Sequence, residues 1–215
     1  MIKIIIFDLD GLLVNSQPLQ YKAYNHVFSK YGYPLSKDKW EEWIQNSHHV
    51  KDWIKKHNLP LNPEKIRAEK KEIYDQLIAS KLNLMSGAKK VVKLLSKKYR
   101  LCIASSSRIE SIEAVLQKFD LHSKFEKLIS DTELEKGKPY PDIFLKAAKL
   151  MQVSPEVCLV IEDSSAGVRA AKSAGMKCII CPDPFVKKQC CEYQNADKIV
   201  RSLEEITLKT IMELN

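Results

Sequence analysis

Six short apolar runs, separated by stretches long enough to hold helices, constrain the fold of this chain more than any other feature. Residues 2–7 (Ile-Lys-Ile-Ile-Ile-Phe) are the first, a β-branched and aromatic run suited to a strand buried on both faces of a parallel sheet. Runs of the same character recur at 101–104, 127–129, 157–161, 178–180 and 198–200. Amphipathic segments lie at 88–98, 108–119, 141–151, 166–174 and 203–213. This alternation predicts an α/β fold, a doubly wound parallel sheet.

Residues 15–84 break the rhythm, because they hold no strand-like run and read as several amphipathic helices rich in Lys, Glu, Trp and Tyr. Breaks fall at Gly32-Tyr33-Pro34, across 58–63 and at Ser86-Gly87. The expected organisation is an α/β core of residues 1–14 and 85–215 with an inserted helical cap domain of residues 15–84. The insertion leaves and rejoins at neighbouring points, as a hinged lid would. Trp40, Trp43 and Trp53 stand at near-helical spacing and read as the core of this insertion.

With 215 residues, 45% of them hydrophobic and 29% charged, the chain can bury a full core and is too apolar for a disordered protein. Its apolar runs reach about a third of the length that a membrane-spanning helix needs. The N-terminal run stops at Asp8, too soon for a signal peptide. A cytoplasmic monomer without a membrane partner is the expectation. Six cysteines then read as reduced thiols. Cys178 and Cys181 have zinc half-site spacing, but residues three apart on a strand face opposite ways. Cys190-Cys191 reads as a plain surface pair. The net charge of +8 comes from scattered Lys pairs, Lys187-Lys188 among them, without an Arg-rich stripe. Solvated helix faces account for it, and no nucleic-acid partner is expected; a non-catalytic nucleic-acid binder is the rival from another class.

The chemistry gathers at the ends of the runs. Asp8 and Asp10 follow the first strand and aim into the crevice where parallel α/β folds bind ligands. Like charges so close need a cation or a shared proton, and Gly11 lets the chain turn at once. Glu162 and Asp163 end another run, and oxygen ligands from two strand ends make a hard-cation site, preferably for Mg²⁺. Ser105-Ser106-Ser107-Arg108 opens a helix with hydroxyls and backbone N–H groups suited to phosphate. Lys138, stiffened by Pro139 and Pro141, can project a point charge inward.

In this order at four strand ends, these residues resemble the haloacid dehalogenase superfamily, in its phosphatase and β-phosphoglucomutase-like branch with a helical cap. Asp8-Leu9-Asp10-Gly11 is similar to the first motif, Ser105 to the second, Lys138 to the third, and Glu162-Asp163 with Ser164-Ser165-Ala166-Gly167 to the fourth. The resemblance implies Mg²⁺-dependent phosphoryl transfer through an aspartyl-phosphate, on a Rossmann-like core whose cap closes over the substrate. In it Asp8 is the nucleophile and Asp10 the general acid and base, with the Asp10 carbonyl also on the metal. Asp163 is the remaining metal ligand, and Glu162 either touches the metal or steadies its ligands. Ser105 and the Ser106 N–H hold the phosphoryl oxygens, while Lys138 neutralises them. Ser107, Arg108, Ser16 and Gln20 complete the candidate substrate-binding set. An aspartate at position 10 disfavours carbon–halogen cleavage, because the superfamily's dehalogenases lack it.

Two departures bear on the reaction. Relatives often continue the first motif as Asp-Ser-Glu-Pro-Leu-His, where this chain reads Asn15-Ser16-Gln17-Pro18-Leu19-Gln20. The mutases use the histidine, and Gln20 has no imidazole to replace it. The cap's Gly-x-Ser-Arg stretch has become Gln45-Asn46-Ser47-His48-His49, leaving His49 or Lys51 to stand in for the arginine. The expected activity is hydrolysis of a small phosphorylated metabolite, a sugar phosphate or nucleotide, with a β-phosphoglucomutase-type mutase as the alternative.

Overall fold

A computed structural model describes residues 1–45, 49–132, 134–186 and 191–215. Asn46, Ser47 and His48 of the altered cap stretch, and Lys187, Lys188 and Cys190, lie outside the described residues. The chain divides into two compact units. One comprises Met1–Val14, Leu84–Asp183 and Gln189–Asn215, the other Asn15–Asn83 and Pro184–Lys188.

The first unit is built on six strands: β1 (Ile4–Phe7), β2 (Arg100–Ser105), β3 (Lys127–Ser130), β4 (Cys158–Glu162), β5 (Lys177–Ile180) and β6 (Lys198–Ile199). They lie in the order β3-β2-β1-β4-β5-β6, and every pair is parallel. The chain winds outward from β1 through β2 to β3, then returns to add β4 on the other side of β1. The strand order therefore reverses between β1 and β4, where open α/β sheets place their ligand crevice. Phe7 is level with both Ile103 and Ile161, so the carboxyl ends of the three central strands open together.

The apolar runs are continuous because both sheet faces are covered. Ile4, Ile6, Cys102, Ala104, Val160 and Cys178 join one cluster with Ile143, Phe144, Ala147, Val168 and Ala171. The alternate residues Ile5, Phe7, Leu101, Ile103, Leu159 and Ile161 are buried as fully, on the opposite face by strand alternation. The helices of this unit, numbered after four in the second unit, are α5 (Ala88–Leu95), α6 (Ile109–Lys118), α7 (Asp142–Leu150), α8 (Ser165–Ser173) and, after the last strand, α9 (Leu208–Met212).

The C-terminal segment corrects the sequence expectation. In place of one helix over 203–213, a 3₁₀ turn at Leu203–Glu205 precedes the short α9. Ser202 caps the turn by accepting from the Glu204 N–H, and Thr207 starts α9 afresh with a capping box that includes Thr210.

The second unit holds α1 (Gln17–Lys30), α2 (Lys37–Gln45), α3 (Val50–Lys56) and α4 (Pro63–Lys81). Asn62 caps α4 by accepting from the Glu64 and Lys65 N–H groups. Trp40, Trp43 and Trp53 are buried with Val27, Phe28 and Ile66, and Trp43 stacks on Trp53 with centroids 5.1 Å apart. Residue 185, assigned from the sequence to the α/β domain, belongs here. Its aromatic ring finds Tyr21 at 5.9 Å and the Lys37 ammonium at 5.5 Å. Among the described residues, no helix is long and apolar enough to cross a membrane.

Candidate active site

The site lies within the α/β unit at the β1–β4 reversal. Asp8 leaves β1 still in register, its N–H donating to the Ile161 carbonyl at 3.0 Å. The chain then turns sharply, with the Gly11 N–H donating to Val14 (2.9 Å) and Gly11 at φ +86°. A Cβ on Gly11 would fall 2.2 Å from Asp163 Oδ2 and 2.9 Å from Asp183 Oδ2. Both the left-handed backbone and the crowding by two carboxylates therefore demand glycine.

Asp8, Glu162 and Asp163 each bring a carboxylate oxygen within 4.8 Å of the others, and all three residues are buried. Lys138 sits among them, donating to Asp8 Oδ1 and Glu162 Oε1 at 2.5 Å each and to the Ala104 carbonyl at 3.2 Å. One ammonium against three carboxylates leaves the pocket short of positive charge. Burial pushes Asp8 up to about 8 despite the pull of Lys138. Asp163 is raised too, by burial and then by the charges of Glu162, Asp8 and Asp183. Burial opposes the charge on Lys138 as well, but Asp8 and Glu162 overcome it and keep the ammonium protonated.

Glu162 behaves differently from its neighbours. Burial would raise it, yet Lys138 and hydrogen bonds from Ser164 hold it below its ordinary value. Its Oε2 accepts from the Asp163 N–H (2.9 Å), the Ser164 N–H (3.0 Å) and the Ser164 hydroxyl (3.0 Å). Gly167 of α8 packs so closely that a Cβ there would lie 1.9 Å from the Glu162 carboxyl carbon. Both Glu162 oxygens are thus engaged by protein donors, and the side chain braces Lys138 and the β4–α8 turn. The all-oxygen donor set and the surplus negative charge of Asp8, Glu162 and Asp163 fit a hard divalent cation.

The serine loop after β2 spends its hydroxyls on carboxylates. Ser107 donates to Asp10 Oδ2 at 2.6 Å, and the buried Ser105 points at the same oxygen from 3.4 Å. The Ser106 hydroxyl donates to Asp131 Oδ2 at 2.6 Å. Arg108, exposed, stands at the N-cap of α6 without a side-chain capping bond.

Ser16 and Gln20 belong to the helical unit. Ser16 is fully buried with no hydrogen bond to its hydroxyl, and Gln20 is half-buried on α1. His49 and Lys51 line a cavity of about 700 Å³ within that unit, together with Tyr24, Trp43 and Arg67. Cys178 and Cys181 are buried free thiols, and burial pushes Cys181 up to about 12.

Sequence reasoning missed two acids. Asp131 follows β3 and Asp183 comes soon after β5, the same strand-end placement that singled out Asp8 and Glu162. Asp131 ties two loops together: it takes the Ser106 hydroxyl, and its Oδ2 lies 2.8 Å from where a Gly137 Cβ would be. Asp183 is buried on the Gly11 side of Asp163.

This geometry has known counterparts. Residues 5–181 match the haloacid dehalogenase-like hydrolase family, and the chain belongs to it. A probable pseudouridine-5'-phosphatase of Drosophila melanogaster is 32% identical over 209 residues, covering 93% of this chain and 89% of that protein. The β-phosphoglucomutase of Bacillus subtilis is 30% identical over 98% of this chain and 94% of its own. Among solved structures, CbbY from Rhodobacter sphaeroides in complex with phosphate superposes with a TM-score of 0.85 at 26% identity, covering 99% of this chain and all of that one.

Proposed function

We propose that this phosphatase of the haloacid dehalogenase type is a Mg²⁺-dependent phosphomonoesterase that hydrolyses a small phosphorylated metabolite, a sugar phosphate or nucleotide, through an aspartyl-phosphate on Asp8. The observation that carries this reading is the buried set of Asp8, Glu162 and Asp163 around the Lys138 ammonium at the β1–β4 reversal. A pocket with that much uncompensated negative charge is costly to fold and suits a site that takes up cations and phosphoryl groups. Support for the substrate class comes from the relatives, whose names specify a nucleoside monophosphate and a phosphosugar.

In this reading Asp8 and Asp163, with the Asp10 carbonyl, hold Mg²⁺, which when bound offsets charge on the phosphoryl oxygens. The Asp8 carboxylate attacks phosphorus as the bond to the leaving oxygen breaks, and Asp10 gives that oxygen its proton. Asp10, now a carboxylate, takes a proton from the water that attacks the phosphoenzyme, and the Asp8–phosphorus bond breaks to release phosphate. Lys138 holds Asp8 in position and supplies positive charge beside the transferring group. Glu162 keeps Lys138 there.

Similarity to a β-phosphoglucomutase favours mutase activity as a second reading. Against it stands Gln20, which has no proton to exchange near neutral pH. A panel of phosphorylated sugars and nucleotides assayed for phosphate release, with and without EDTA, tests the proposal. We expect Mg²⁺-dependent release from at least one. Conversion of β-glucose 1-phosphate to glucose 6-phosphate tenfold faster than phosphate release would establish the mutase instead, and full activity in EDTA would overturn the metal requirement.

A further inference from the structure

The serine loop after β2 carries an arrangement that phosphate binding does not explain. Ser107 is held at three points. Its N–H donates to Ser105 Oγ (3.1 Å), its carbonyl accepts from the Ser130 hydroxyl (2.7 Å), and its own hydroxyl donates to Asp10 Oδ2 (2.6 Å). Ser130 is fixed in turn by Thr132, whose hydroxyl lies 2.8 Å away and whose N–H donates to Ser130 Oγ at 3.2 Å. The chain of contacts runs from the end of β3 through Ser107 to one oxygen of Asp10. A hydroxyl has one proton to donate, and that of Ser107 is directed at a carboxylate, so it is not offered to a substrate anion. A hydrogen bond of this length orients the carboxyl group it meets.

We infer that Ser107, braced by Ser130, is a positioning residue for Asp10: it fixes the Oδ2 oxygen and thereby leaves Oδ1 to exchange the proton with the leaving group and with water. This reassigns Ser107 from the substrate-binding set. The inference rests on the reading of Asp10 as general acid and base.

The two roles leave different kinetic traces. A residue that grips substrate acts mainly on KM, whereas one that aims the general acid acts on the proton-transfer step. The value of kcat/KM reports the steps up to formation of the phosphoenzyme. The contribution of a general acid there depends on how badly the leaving oxygen needs a proton. An alkyl phosphate, with a poor leaving group, should therefore suffer more from misplacement of Asp10 than p-nitrophenyl phosphate, whose phenolate departs unaided.

The experiment compares wild type with Ser107→Ala, Ser107→Thr and Ser130→Ala, using the best alkyl phosphate from the substrate panel and p-nitrophenyl phosphate. Ser107→Ala is expected to lower kcat/KM about tenfold or more for the alkyl ester and only a few-fold for the aryl ester. Ser107→Thr, which keeps the hydroxyl, should restore most of the loss. Ser130→Ala should show the same bias toward the alkyl ester at smaller size, which keeps the test open if Ser107→Ala fails to fold. Equal losses on both esters, or a rise in KM with kcat unchanged, would overturn the inference. A wild-type enzyme that releases no phosphate from any ester would instead defeat the reading of the activity itself, so the two failures are distinct.

Discussion

The two units bury opposite kinds of side chain. In the helical unit the buried positions go to Trp40, Trp43, Trp53 and Phe28, rings that gain by leaving water and contact one another at 5.1–5.9 Å. At the carboxyl ends of β1 and β4 the α/β unit buries Asp8, Glu162 and Asp163 around Lys138, with Asp183 buried after β5 beside Asp163, groups that lose by leaving water. The contrast separates residues kept for stability from residues kept for chemistry. Removing the charge of Asp8 from the second set should cost activity and spare the fold, whereas trimming a ring from the first should cost the fold.

The largest effect expected is on turnover. Asp8→Asn removes the nucleophile and should lower kcat by about 10⁴-fold or more, as loss of a covalent nucleophile does. Unfolding of the metal-free variant by denaturant should show stability equal to or above wild type, because one of the crowded carboxylates is gone. A variant retaining more than about a hundredth of the wild-type rate would break the assignment.

Next in size is the aromatic core. Trp43→Ala removes a ring that contacts Tyr24, Phe28, Trp40 and Trp53, and should cost about 3–5 kcal/mol in the unfolding of the helical unit. Chemical denaturation followed by tryptophan fluorescence measures this, and a loss below about 1 kcal/mol would mean the rings are not the core of that unit.

A smaller effect concerns pH in the metal-free protein. The proton affinity of Asp8 rises from 3.8 to about 8 on folding, and that of Asp163 rises as well, so the folded state binds more protons than the unfolded chain. That contribution is fully present below about pH 4 and is lost as pH climbs through about 8. Glu162 and its lowered value act the opposite way, withdrawing stability as pH falls below its ordinary range. With EDTA present, Tm should fall between pH 5.5 and 8.5, by about 2–4 °C for each kcal/mol in a chain of this size, and Asp8→Asn should flatten the slope. A Tm that rises across this interval would contradict the charge balance drawn for the pocket.

The smallest effect is expected at Asp183, which adds negative charge beside Asp163 without being placed on the metal. Asp183→Asn should weaken Mg²⁺ binding a few-fold by calorimetry and raise the stability of the metal-free protein. Unchanged affinity would remove Asp183 from the site.

What could be read in the sequence follows the same division. The parallel sheet is legible because strands covered on both faces write continuous apolar runs, as in residues 2–7 and 157–161. The pattern of 203–213 misleads, since its apolar spacing continues through a break that only the caps Ser202 and Thr207 reveal. Strand-end acids are legible in pairs, as at Asp8 and Asp10 or Glu162 and Asp163. Standing singly among turn residues, Asp131 and Asp183 look like ordinary loop. Nor does spacing disclose how acids divide their work. That Glu162 serves Lys138 and Ser164, and that Ser107 turns to Asp10, depends on contacts between residues 24 to 97 positions apart or on a turn closed by Gly167.

The central claim, that Asp8 carries the phosphoryl group, is tested most directly in Asp10→Asn, where hydrolysis of the intermediate lacks its base while an activated ester needs no acid. Mixed with Mg²⁺ and p-nitrophenyl phosphate, this variant should release a burst of about one nitrophenolate per enzyme. Acid-quenched peptide mapping should then place the phosphoryl group on Asp8. Turnover with no burst and no phosphorylated peptide, or a phosphoryl group on any other residue, would contradict it.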